Sequence, residues 1–162
     1  MFPLEIQTLA RLLLEECRDQ RLRIVTAESC TGGLVSGALC TIPGASDVLE
    51  RGFVTYSNRA KQEMLGVPGD LLADVGAVSE PVVRMMAEGA LENSNAHISV
   101  AITGVAGPGG GTAMKPVGLV HFATARSNKG IRHAVEQFDG PDRIDIQIAA
   151  VIQALTMLRE AI

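Results

Sequence analysis

The stretch Ile24–Gly33, IVTAESCTGG, sets a serine beside a cysteine where an apolar, β-rich run gives way to two glycines. In parallel α/β sheets ligands collect at the carboxyl ends of strands, and a helix beginning there offers unpaired N–H groups and the positive end of its dipole. A serine so placed can attack a carbonyl carbon while backbone donors hold the oxyanion. The same serine also suits a plain helix cap, and local features alone favour the cap. Cys30 is the rival nucleophile, since a thiolate gains from a helix start too. Against it, buried free cysteines are common and usually inert.

A nucleophilic Ser29 needs a base. The three histidines are poor candidates. His97 begins a strand, His121 and His133 lie in the two strands of a hairpin, and no acid is evidently paired with any of them. A Ser-His-Asp triad is therefore unsupported. Lys61 is better placed, following VTYSNRA just past a second strand. Lysine serves as a base only when burial or a nearby cation lowers its pKa, and its plainer reading is a solvated helix face. Tyr56, the only tyrosine, can bridge the serine and the lysine, stack on a ring, or sit half-buried in a strand. The loop TGVAGPGGG (103–111) follows a strand, as an anion-binding loop does, but lacks both GxGxxG and a GK[ST] ending. Arg143 suits a phosphate or carboxylate, or a local ion pair with Asp142 and Asp145.

These residues need elements to hold them. Leu9, Leu12, Leu13 and Cys17 repeat at helical spacing, so residues 4–18 read as an amphipathic helix. Strands are expected at 22–27, 52–57, 97–103, 117–125 and 131–138, the last two joined as a hairpin by RSNKG. Helices are expected from Thr31 to Cys40, over 59–65, from Ser79 to Asn93, and after Asp142. Gly32, Gly33 and Gly37 are poor helix formers and suggest close approach by a backbone or ligand. Strands separated by helices, with a late hairpin, predict a three-layer α/β/α sandwich with a mixed, mostly parallel sheet.

Bulk properties agree. Apolar residues make up 47% of the chain and aromatics only 3%, so small and branched side chains must pack helices close to strands. With 162 residues and no linker or repeat, one domain over 1–162 is expected. A net charge of −4 without a basic run argues against nucleic acid. Cys17, Cys30 and Cys40 form no CxxC pair and no zinc spacing, which reads as reduced, cytoplasmic thiols. The N-terminus lacks a basic n-region and a small-residue cleavage site, and no apolar run is long enough to span a bilayer.

Together, TAESCTGGLVSGAL, IPGASDVLERGFVTYSNRAKQEMLGVP, GAVSEPVVRMMAEGA and AITGVAGPGGGTAMKPVGLVHFA resemble the CinA C-terminal domain, over about residues 5–160. That domain also occurs alone as a nicotinamide-nucleotide amidase, and larger relatives add an N-terminal domain similar to molybdopterin-biosynthesis proteins. The resemblance implies hydrolysis of the carboxamide of nicotinamide mononucleotide to nicotinate mononucleotide and ammonia, a step of pyridine-nucleotide recycling. It implies a small nucleotide as partner, no metal or organic cofactor, and a homo-oligomer. By the same resemblance Ser29 is the acyl-forming nucleophile and Lys61 the base, with Tyr56 positioning the lysine or the substrate. Backbone N–H groups near Thr31, Gly32 and Gly33 would form the oxyanion site. Asn58 belongs to the matching YSN…K segment; Thr103, Gly104 and the loop glycines Gly107, Gly109 and Gly110 would hold the nucleotide, with Arg143 in the same substrate-binding set. Gln147 stands where the family often has a second arginine. A binding domain without catalysis is the alternative.

Overall fold

The computed structural model describes residues Met1–Ile162. Five strands, β1 (Ile24–Glu28), β2 (Leu49–Val54), β3 (Ile98–Gly104), β4 (Leu119–Arg126) and β5 (Gly130–Gln137), form one sheet in the order β2-β1-β3-β4-β5. β1 pairs in parallel with β2 and β3, and the β3–β4 and β4–β5 ladders are antiparallel. β5, two reversals after β3, therefore runs the same way as β1, β2 and β3.

Helices α1 (Leu4–Asp19), α2 (Leu34–Cys40) and α6 (Arg143–Glu160) cover one face, while α3 (Asn58–Leu65), α4 (Gly69–Val75) and α5 (Glu80–Glu92) cover the other. The result is a three-layer α/β/α sandwich with a mixed sheet. Side chains alternate along a strand. Ile24, Ile98, Val100 and Ile102 thus meet Leu13, Leu39 and Leu155 on the first face. Val25, Ala27, Ala101, Ala123 and Ala125 meet Val83, Met86 and Ala90 on the second. The alanines there let α5 lie close to the sheet, and Ser99 Oγ donates across that seam to the Ala87 carbonyl at 2.7 Å. Gly89 does the same between helices: a Cβ there would stand 1.9 Å from the Leu65 carbonyl oxygen, so only glycine lets α5 pass the end of α3.

The expected elements are found with shifted ends. β2 starts and stops three residues earlier than the 52–57 reading, which frees Tyr56 from the strand and leaves Ser57 to cap α3 by accepting from the Ala60 N–H at 3.0 Å. α2 begins at Leu34 rather than Thr31, because Gly32 and Gly33 take positive φ (57° and 100°) and make a turn instead of helix. α4, hidden between Pro68 and Gly76, was not expected from the sequence.

The chain moves from β1 through α2 to β2 on one side, then through α3, α4 and α5 back to β3 on the other. The strand order reverses between β1 and β3, and the crevice at their carboxyl ends is where an open α/β sheet binds ligands. Ser29 follows β1, and Thr103 and Gly104 end β3.

Candidate active site

Strand alternation sends Glu28 toward α2 and Ser29 toward α3. The Ser29 N–H donates to the Ile102 carbonyl at 3.0 Å, so β1 still pairs with β3 at the serine. Lys61, on the first turn of α3, is 1% exposed, and its Nζ lies 3.1 Å from Ser29 Oγ. The same nitrogen reaches the carbonyls of Thr55 at 2.9 Å and Tyr56 at 3.5 Å. No carboxylate pairs with it. Burial holds its pKa below the ordinary lysine value of 10.5. A neutral amine has two N–H bonds and one lone pair. Two carbonyls can take the N–H bonds, leaving the lone pair for the serine O–H.

Cys30, beside the serine, is 6% exposed and packs in the core under α2 and α6. Burial pushes its thiol up to about 12, so it holds its proton at physiological pH. None of the three histidines borders the Ser29 cavity. His121 and His133 contact each other at 2.9 Å, and His97 Nδ1 accepts from the Arg23 N–H.

A cavity of about 290 Å³ opens over Ser29 and Lys61. Of the residues singled out in the sequence, Tyr56, Asn58, Thr103 and Gly104 border it, with Gly107, Gly109, Gly110 and Arg143. Ala77 and Val78, between α4 and α5, complete the wall without any sequence signal, and Thr103 Oγ1 fixes that segment by donating to the Ala77 carbonyl at 3.0 Å. Arg143 does not pair with its acidic neighbours, because Asp142 and Asp145 cap α6 reciprocally. Its guanidinium donates instead to the Tyr56 hydroxyl and to the Gly107 carbonyl, each at 2.6 Å. The Tyr56 hydroxyl thus faces Arg143, and it is the Tyr56 backbone that meets Lys61.

Thr31, Gly32 and Gly33 do not border the cavity. The Gly32 N–H closes a turn on the Ser29 carbonyl, and the Gly33 N–H and the Thr31 hydroxyl go to the Glu28 carboxylate. Two of the three expected oxyanion donors are therefore spent. The N–H groups of Cys30 and Thr31 have no protein acceptor. Gln147 Nε2 donates to the Cys30 carbonyl at 2.8 Å. Across that planar trans peptide the Thr31 N–H must point away from Gln147.

A doubly wound α/β sandwich with a half-buried serine against a buried lysine at its switch point is thus the class that fold and site define. The CinA C-terminal domain family profile matches residues 6–162, and the chain belongs to that family. A putative competence-damage inducible protein of Caldicellulosiruptor bescii is 42% identical over 100% of this chain and 39% of its own length. A CinA-like protein of Akkermansia muciniphila is 61% identical over 66% of this chain and 26% of its own length. The chain thus spans about two-fifths or less of these curated relatives. Among solved structures, a competence/damage inducible protein from Agrobacterium tumefaciens superposes with a TM-score of 0.97 at 49% identity, covering 99% of this chain and 97% of that one. A CinA superfamily protein from Escherichia coli gives 0.91 at 38% identity, covering 97% and 90%. No helix is long and apolar enough to cross a membrane.

Proposed function

We propose that this domain hydrolyses the carboxamide of nicotinamide mononucleotide, giving nicotinate mononucleotide and ammonia. The single observation that carries the reading is the 3.1 Å contact between Ser29 Oγ and the buried Lys61 amine. Neutral Lys61 takes the serine proton as Oγ bonds to the amide carbon. The tetrahedral oxyanion faces the unpaired N–H group of Cys30, which borders the cavity beside Ser29. The C–N bond then breaks, and the Lys61 ammonium returns its proton to the departing nitrogen, which leaves as ammonia. Water attacks the acyl ester and passes a proton to Lys61. The ester C–O bond breaks, Ser29 recovers that proton, and the nicotinate carboxyl group leaves. The loop around Gly107, Gly109 and Gly110, with Thr103, Gly104, Asn58 and Arg143, holds the nucleotide. Arg143 supplies the cation that a phosphate requires.

Incubation of the protein with nicotinamide mononucleotide, followed by chromatography of the products, tests this. Nicotinate mononucleotide should accumulate in step with ammonia. Nicotinamide riboside, which lacks the phosphate, should turn over more slowly through a raised KM. Calorimetric binding of the nucleotide without turnover would favour a non-catalytic binding domain.

A further inference from the structure

We propose that Glu28 is a positioning residue. Its buried carboxylate ties the end of β1 to the start of α2 across Ser29, and so sets the serine against Lys61 and leaves the Cys30 and Thr31 N–H groups unpaired. The kinetic part of this inference rests on the amidase reading; the geometric part does not.

Glu28 is the last residue of β1 and is 0% exposed. A buried carboxylate must be compensated or it is costly. No lysine, arginine or histidine pairs with it. Compensation comes from the first turn of α2. Oε2 accepts from the Thr31 hydroxyl at 2.7 Å, the Gly33 N–H at 3.1 Å and the Val35 N–H at 3.0 Å. Oε1 accepts from the Ser36 N–H at 2.9 Å, with the Ser36 hydroxyl 3.1 Å away. These backbone groups are donors that a helix start leaves unpaired, and they carry the positive end of its dipole.

The source of the cap is unusual. The N-cap position is held by Gly33, which has no side chain to cap with. A Ser, Thr, Asp or Asn there would satisfy the helix locally. Glu28 does so from five residues upstream, so the cap spans the whole 29–33 turn. The Glu28 carbonyl in turn accepts from the Thr55 N–H at 2.9 Å, and the Thr55 carbonyl accepts from Lys61. Glu28 therefore joins three pieces: the helix behind the serine, the peptide that carries the serine, and the segment that aims the lysine. It also consumes the Gly33 N–H, which removes the α2 N-terminus as an anion site and leaves the Cys30 N–H, at the cavity wall, for the oxyanion.

Glu28→Gln tests this. It keeps shape and volume, but one carboxylate oxygen becomes an NH2 whose hydrogens point at N–H or O–H donors, so the tie must break at one arm. We expect kcat for ammonia release from nicotinamide mononucleotide to fall about 10- to 100-fold while KM stays within about twofold, because misplacing a nucleophile costs rate rather than binding. A crystal structure of Glu28→Gln should show Ser29 Oγ and Lys61 Nζ out of hydrogen-bond reach. If Glu28→Gln does not fold, Thr31→Val with Ser36→Ala removes donors from the other side of the tie and should give the same kinetic split. A folded variant with wild-type kcat, or with the Ser29–Lys61 contact unchanged, overturns the proposal. A wild-type protein that releases no ammonia rejects the amidase reading alone, and the variant's Ser29–Lys61 distance then decides the role of Glu28.

Discussion

Arg143 and Tyr56 are 87 positions apart in sequence, yet the guanidinium of one donates to the hydroxyl of the other at 2.6 Å. The pair links the first turn of α6 to the segment between β2 and α3, two walls of the cavity that holds Ser29. Tyr56 is 59% exposed, so neither core packing nor burial holds its ring. Tyr56→Phe should loosen this wall and spare the chemistry. Losing one exposed hydrogen bond, roughly 1 kcal/mol, predicts a KM raised about threefold to tenfold with kcat nearly unchanged. Arg143→Ala also removes the cation and should raise KM further. Steady-state kinetics on both variants check this.

Lys61 should act as a base only when neutral. Its burial holds its pKa below 10.5, so kcat/KM should rise with pH along a limb whose midpoint lies below that value. Lys61→Met should lose roughly 10²- to 10⁴-fold in kcat, and Lys61→Arg should be no better, since guanidinium stays protonated. A pH–rate profile with the two variants reads all three outcomes.

The same burial carries a stability signature. A lysine whose folded-state pKa is depressed binds a proton more readily in the unfolded chain between that pKa and 10.5. The contribution of position 61 to stability is therefore lowest below the folded-state pKa and rises with pH through that window. Urea unfolding of wild type and Lys61→Met at several pH values should show wild type gaining on the variant as pH increases. A constant difference would contradict the burial of a lysine of lowered pKa.

Gly89 connects packing to the site. Its Cβ would meet the Leu65 carbonyl at 1.9 Å, a backbone atom that cannot rotate away. Gly89→Ala should destabilise the protein by about 1–3 kcal/mol and displace α3, the helix that carries Lys61. Thermal melting should show the loss, and kcat should fall with it.

The fold was legible where chemistry and periodicity coincide. Helical spacing in α1 and α5, and β-rich runs before Ser29 and the glycine loop, mark elements that tertiary packing merely trims. The pairing of Ser29 with Lys61 was legible because each follows a strand end, and α/β topology brings such ends together. The hydrogen-bond hub at Glu28 was not legible, because an acid closing an apolar strand carries no local sign of its partners. Those partners are backbone N–H groups, which have no letter in a sequence. For the same reason oxyanion donors are expected near Thr31, Gly32 and Gly33, although the fold spends the Gly32 and Gly33 N–H groups on Ser29 and Glu28. Gln147, read only as a departure from its family, holds the Cys30 carbonyl, a contact set by where α6 packs.

The assignment of Ser29 as nucleophile is tested most directly by the rate of ammonia release from nicotinamide mononucleotide in wild type and Ser29→Ala. Cys30, its thiol pushed up to about 12, cannot substitute as a thiolate at neutral pH. Wild type should turn over, and Ser29→Ala should fall by roughly 10³-fold or more while still binding the nucleotide. Turnover by Ser29→Ala at the wild-type rate would contradict a serine mechanism at this site.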